Sequence, residues 1–202
     1  MRFAFYGLPS NLCLTLNPCS IKGHLSAVLL FSALGLSAQD NPFEKQVVVE
    51  SLPVPEEDGQ LFYLQRDPDQ NTIVYQVNME DGELNEADPV NVYWIRYAEG
   101  GQRKKLSFIQ RTMAYGVGHK RLEDGDFELR LAAYKTLPLR LSYLKNQKKY
   151  VVLATINGKD AILERIFVRI TGGGALNPDI AYFEFSGRDV KTGKSIKQRI
   201  KP

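Results

Sequence analysis

Trp94, Arg96 and Arg66 are the side chains whose types and placement come nearest to a ligand-binding chemistry. Val92-Tyr93-Trp94-Ile95-Arg96-Tyr97 is the densest aromatic stretch of the chain. As an extended strand it sets Trp94 and Arg96 on one face and Tyr93, Ile95 and Tyr97 on the other. Both faces then carry apolar bulk, so neither is simply solvent. Trp94 and Arg96, with Arg66 from a neighbouring strand, would line a pocket for an anionic or sugar-like ligand. The structural alternative, which the pattern favours, is a central core strand whose arginine is paired with a buried acid.

Catalytic chemistry has less to work with. His119 is the only histidine after residue 38, so a multi-histidine metal site is excluded there and any Ser-His-Asp triad depends on this one residue. No G-x-S-x-G elbow accompanies it. In Val117-Gly118-His119-Lys120-Arg121 the two bases would lower its basicity if near in space, and the plainer reading is a surface strand histidine. Gly172-Gly173-Gly174 follows a strand, as phosphate-cradling loops do, but it precedes Asn177-Pro178-Asp179 and another strand instead of a helix N-terminus. A flexible interstrand loop is the better expectation. Glu123-Asp124-Gly125-Asp126 is too short for a calcium loop, and turn chemistry accounts for it and for Asp67, Asp69, Asp81 and Asp88. A pair of glycosidase carboxylates from distant strands stays open, with nothing to single out which two.

Leu25–Ala38 is an uninterrupted run of apolar and small residues preceded by Lys22 and followed by Gln39-Asp40-Asn41-Pro42. It is shorter than the roughly 20 residues of a membrane-spanning helix and has the order of a secretory signal peptide, with cleavage near Ala38-Gln39. Residues 1–20 contain Cys13, Cys19, two prolines and almost no charge. They read as an over-extended start, with translation beginning near Ile21. Residues 1–38 hold both cysteines and, of the chain's 26 Lys and Arg and 23 Asp and Glu, only Arg2 and Lys22. The remainder is therefore free of thiols and one charge from neutral, which disfavours nucleic-acid binding. Lys191, Lys194, Lys197, Arg199 and Lys201 are its one basic concentration, the mark of a solvated edge strand.

Residues 39–60, acidic and proline-rich around Val47-Val48-Val49, read as an extended arm or linker before a single domain over 61–202. From Leu61 onward short alternating runs lie between turn signals. Phe127, Leu129 and Leu131 share one face while Glu128 and Arg130 take the other. Asn157-Gly158 between Tyr150–Ile156 and Ala161–Thr171 predicts a tight hairpin, since both residues tolerate positive φ. Leu106, Ile109 and Met113 recur at helical spacing and predict one short helix over Lys105–Met113, its apolar side packed on the sheet or closing one end of a barrel. The expected fold class is all-β and mainly antiparallel, a sandwich or barrel of about eight to ten strands with that one helix.

Leu61-Phe62-Tyr63-Leu64-Gln65-Arg66, Asn71-Thr72-Ile73-Val74-Tyr75, Val90–Tyr97, Ala114-Tyr115-Gly116-Val117, Phe185-Ser186-Gly187-Arg188-Asp189 and Thr192-Gly193 together carry a resemblance. The chain resembles a family of exported bacterial domains, common in the Bacteroidetes group and catalogued only as a domain of unknown function. The resemblance covers about Leu61 to Pro202. It implies a periplasmic, surface or secreted setting and transfers no catalytic residues.

These readings converge on an exported, non-enzymatic β domain that binds a small molecule, lipid or cell-envelope partner. Its candidate ligand-binding residues are Arg66, Trp94, Arg96 and His119. No metal, cofactor, nucleic acid or transmembrane helix after processing is expected, and the oligomeric state is open. The alternatives are a hydrolase of envelope glycans or esters, with His119 or a carboxylate pair as base, and a structural module that docks through a strand edge.

Overall fold

The computed structural model describes residues 52–174 and 177–202. The leader, the start near Ile21 and residues 39–51 of the arm lie outside the described residues. What is described is mainly β. The strands are β1 (Gln60–Asp67), β2 (Asp69–Val77), β3 (Met79–Glu80), β4 (Glu83–Leu84), β5 (Val90–Arg96), β6 (Gln102–Lys105), β7 (Val117–Arg121), β8 (Phe127–Leu131), β9 (Tyr134–Leu144), β10 (Lys149–Ile156), β11 (Lys159–Gly174), β12 (Asn177–Asp189) and β13 (Ser195–Ile200). One helical segment, α1 (Phe108–Gln110), runs on into a wider π turn at Arg111–Tyr115.

β11, at 16 residues, is the strand on which the others assemble. One of its edges carries two arms. Near its start, Lys159–Ile162 pair with Leu153–Ile156 of β10, across a turn in which Asn157 (φ 53°) and Gly158 (φ 73°) hold the expected left-handed conformation. Farther on, the same edge is taken by β1, from Tyr63 opposite Arg165 to Asp67 opposite Arg169. The β10 arm continues through β9 and β8 to β7, and the β1 arm through β2 and β5 to β6. The other edge of β11 holds β12, which in turn holds β13.

The β1–β11 pair is parallel, so the 11-stranded sheet is mixed and curls into a half-barrel. The other pairings are antiparallel, so the mainly antiparallel β class is as expected. The sandwich or closed barrel of about eight to ten strands is corrected to a larger, curled sheet with one parallel pair. Alternation reports which face of a strand is wet, and it is silent on strand direction and on which distant strand shares an edge.

Both arms turn their apolar faces to one core. Phe62, Leu64, Ile73, Tyr75 and Trp94 from the β1 arm cluster with Phe127, Leu129, Leu139, Leu141 and Val152 from the β10 arm. Phe62 and Tyr75, directly opposed across β1 and β2, stack at 4.2 Å. Cross-strand neighbours share a face, so the register Leu64–Ile73–Trp94 forms one inward row. The reverse face of the β1 arm is also buried, at Val74 and Ile95, as is Phe167 beside it on β11. Residues 52–58 run along that side, where Pro55 is buried and the Gln65 amide donates to the Pro53 carbonyl at 2.7 Å.

Two local expectations are corrected. Gly172-Gly173-Gly174 is not a loop: it extends β11 and pairs with Asp179, Pro178 and Asn177. Glycine reads as a breaker in sequence, but here the missing Cβ is what lets the strands close. At Gly173 (φ 81°) a Cβ would fall 2.5 Å from the Asn177 carbonyl oxygen. The helix is also shorter than expected, and only Leu106 of its predicted apolar side enters the core; Ile109 and Met113 are 59% and 65% exposed. Leu106 precedes the Ser107 N-cap and so lies outside the helix, and the change to a π turn at Arg111 breaks the helical spacing between Ile109 and Met113.

Candidate functional site

A cavity of about 460 Å³ lies where the two arms part along β11. β11 supplies Ile166, Val168, Ile170 and the glycine triplet, β12 supplies Ile180, Phe183 and Phe185, and the arms supply Leu64 and Tyr75 on one side and Leu131 and Tyr134 on the other. Tyr134 stacks on Phe183 at 5.4 Å. β9 and β12 are not neighbours in the sheet, so this stack bridges the curl of the half-barrel. The lining is apolar except for the phenols and one charged group, Arg66.

Arg66 is held from three sides. Its Nη1 donates to the Tyr115 hydroxyl at 2.6 Å and its Nη2 to Asp69 at 2.5 Å. Its guanidinium carbon lies 5.1 Å from the Trp94 ring and 5.4 Å from the Tyr115 ring, within reach of cation–π attraction. Nε is buried and has no partner among the described residues. The guanidinium is thus oriented by its partners, with Nε left free of them.

The wall behind Arg66 is tied to the helix. Trp94 packs edge-on against Tyr115 at 5.3 Å, and its indole N–H donates to Gln110 Oε1 at 3.4 Å. The same Gln110 oxygen accepts from the Ser107 amide at 3.0 Å, while the Gln110 amide donates to Ser107 Oγ at 3.3 Å. This reciprocal capping box fixes the start of α1 on the indole. At the far end of the turn, the Tyr75 hydroxyl donates to the Tyr115 carbonyl at 3.0 Å. Burial, reinforced by nearby Tyr115, drives the Tyr75 phenol far above its ordinary pKa. Burial also raises that of Tyr115, with Arg66 pulling it down and Asp69 pushing it up. Both phenols are therefore hydrogen-bonding groups and not anions at neutral pH.

Of the residues singled out in sequence, Arg66 and Trp94 come together, one lining the cavity and the other sealed behind it at 3% exposure. Arg96 ends β5, pairs with Glu99 and is not among the lining residues. His119 is exposed on β7, at one end of the sheet's strand order, its ring 6.2 Å from Phe127. Asp124 and Asp126 both pair with Arg140. Tyr75, Tyr115 and Tyr134 are lining residues that sequence reasoning passed over, and the glycine triplet, read there as a loop, lines the cavity as well. Ser107-x-x-Gln110 was the legible signal for the helix start, and through it for Tyr115.

None of the lining side chains described is a carboxylate, serine, cysteine or histidine. A second, wider groove of about 690 Å³ near the β3–β4 hairpin is rimmed by Glu57, Glu83, Lys148 and Lys149 and by the paired rings of Tyr143 and Tyr150. It has charged sides and no enclosed apolar interior. Among the described residues no helix is long and apolar enough to cross a membrane.

Comparison with curated proteins and with solved structures found no match. A family model does match, over residues 62–199, a span that contains both arms apart from the first two residues of β1, and the whole cavity lining. The chain belongs to the family described as Domain of unknown function (DUF4833).

Proposed function

We propose that the domain is a non-enzymatic binding module for an amphipathic anion, its apolar tail in the cavity between the arms and its acidic head on Arg66. One observation carries the reading: a cavity of about 460 Å³, within the usual range of about 300–1,000 Å³ for ligand sites, is lined by apolar side chains and a single oriented guanidinium. A guanidinium beside apolar surface favours carboxylate or phosphate groups over neutral ones, since a charge-assisted hydrogen bond is stronger than a neutral one. Hydrolysis has weaker support, because a general base or nucleophile within reach of the ligand would have to come from outside the lining. The apolar run at residues 25–38 supports an exported setting, in which a fatty acid or a lipid fragment of the cell envelope is the class of ligand at hand.

Calorimetric titration with decanoate and with decanol tests the reading. The protein should take up decanoate more tightly than decanol, and Arg66→Met should weaken decanoate by about tenfold while leaving decanol nearly unchanged. Val168→Phe, which fills the cavity from β11, should abolish uptake of both. Undiminished binding to the Val168→Phe protein, or no binding to the unaltered one, would overturn the proposal.

A further inference from the structure

Beside the cavity the α1 segment and its π turn display apolar side chains to solvent. Phe108, Ile109 and Met113 are 81%, 59% and 65% exposed. They are not on a slack loop: the capping box, the Gln110–Trp94 bond and the Tyr75–Tyr115 bond hold the segment to the core on one side and leave these three facing out. Met113 belongs to both surfaces, being exposed and also part of the cavity lining. Clustered exposed apolar residues on a rigid element mark an interaction surface.

The charge around them identifies the partner. Residues 102–113 contain Arg103, Lys104, Lys105 and Arg111 and no acid. Arg103 is engaged by Glu57 and lies over Tyr93. Lys104, Lys105 and Arg111 have no ion-pair partner among the described residues, and Lys104, opposite Trp94 in the β5–β6 register, lies on the side of the sheet that faces the cavity. A second copy of this chain meeting the patch about a two-fold axis would set these bases against their own equivalents. An acidic lipid surface would meet apolar tips and bases together, as it does for interfacial helices.

We infer that Phe108, Ile109 and Met113, with Lys104 and Arg111, dock the domain on an anionic lipid bilayer and set the mouth of the cavity against it. The inference rests on the cavity reading above, since a membrane is the source from which an amphipathic anion would be drawn.

Co-sedimentation with vesicles of mixed phosphatidylglycerol and phosphatidylcholine, against vesicles of phosphatidylcholine alone, tests it. The protein should pellet with the anionic vesicles and be released by salt. Phe108→Ser/Ile109→Ser and Lys104→Glu/Arg111→Glu should each weaken partitioning by about tenfold or more, as these residues are exposed and their replacement leaves the core intact. The Val168→Phe protein should still pellet, which separates the two proposals. Failure of the apolar variant to weaken partitioning would sink the docking surface alone, as would a dimer in solution that those substitutions dissociate. Absence of decanoate uptake by the unaltered protein, with docking intact, would sink only the cavity reading.

Discussion

Burying a phenol without letting it ionise makes the site sensitive to alkali. Tyr75 is fully buried, its hydroxyl donates to a backbone carbonyl, and its pKa is raised by the lack of solvation. In the unfolded chain the same phenol titrates near pH 10. Because the folded pKa lies above the unfolded one, the stabilisation is complete below about pH 10 and declines as pH rises beyond it, where the unfolded chain gives up its proton first. Urea midpoints measured at neutral pH and above pH 10 should therefore fall on the alkaline side. Tyr75→Phe should lower the stability at neutral pH by about 1 kcal/mol, for the lost hydrogen bond, and flatten the alkaline fall of the midpoint. An equally steep fall in Tyr75→Phe would assign the effect to other tyrosines, of which Tyr115 and the half-buried Tyr63 are also raised mainly by burial. Arg66 shows the same economy of placement. Its position near Trp94 was visible in sequence only as a possibility of neighbouring strands, whereas its partner Tyr115 is 49 residues away, beyond any short-range pattern that would join the two.

At the scale of elements, what was legible was what is local. The Asn157-Gly158 turn declares itself because two adjacent residues must adopt positive φ, and the strands either side of it follow. The α1 segment was only half legible. Its apolar spacing predicts a continuous helix with a buried face, while the chain turns wider after Gln110 and carries Phe108 and Ile109 outward. The stop to that turn is Gly116, whose amide donates to the Arg111 carbonyl at 3.0 Å. Its φ is ordinary, and the requirement for glycine is purely one of space, because a Cβ there would collide with the same Arg111 carbonyl oxygen that accepts the bond. Gly116→Ala should lose the closing bond and displace Tyr115, at about 1–3 kcal/mol for the overpacking. Ser107→Ala removes one half of the capping box and should cost about 1 kcal/mol. Both are measured by urea denaturation followed through Trp94, whose folded-state emission should shift to longer wavelength as the helix loosens. An unchanged midpoint and emission in Gly116→Ala would refute this account of the turn.

Across the whole molecule the decisive feature is non-local. β1 and β10 take successive stretches of one β11 edge, and the cavity exists because the arms they begin diverge from there while sharing a core. Alternation in Phe127–Leu131 shows a wet and a dry face, but it does not say that the dry face will meet Phe62 and Tyr75 from the far end of the domain. That pairing depends on β1 joining β11 across about a hundred residues of intervening chain, a closure that no short-range pattern encodes. The shared core has a thermodynamic consequence. If each arm were stabilised separately, damage to one would leave the other standing. Leu139, 1% exposed on β9, lies in the β10 arm, and Trp94 reports from the β1 arm. Leu139→Ala should destabilise the protein by about 2–5 kcal/mol through lost burial and the cavity left behind. In a single cooperative transition the Trp94 emission midpoint in urea should drop together with the far-ultraviolet circular dichroism midpoint, by the same amount. A Trp94 transition that stays in place while the circular dichroism splits in two would show that the arms unfold independently, and the cavity would then lie between two separately stable bodies instead of inside one.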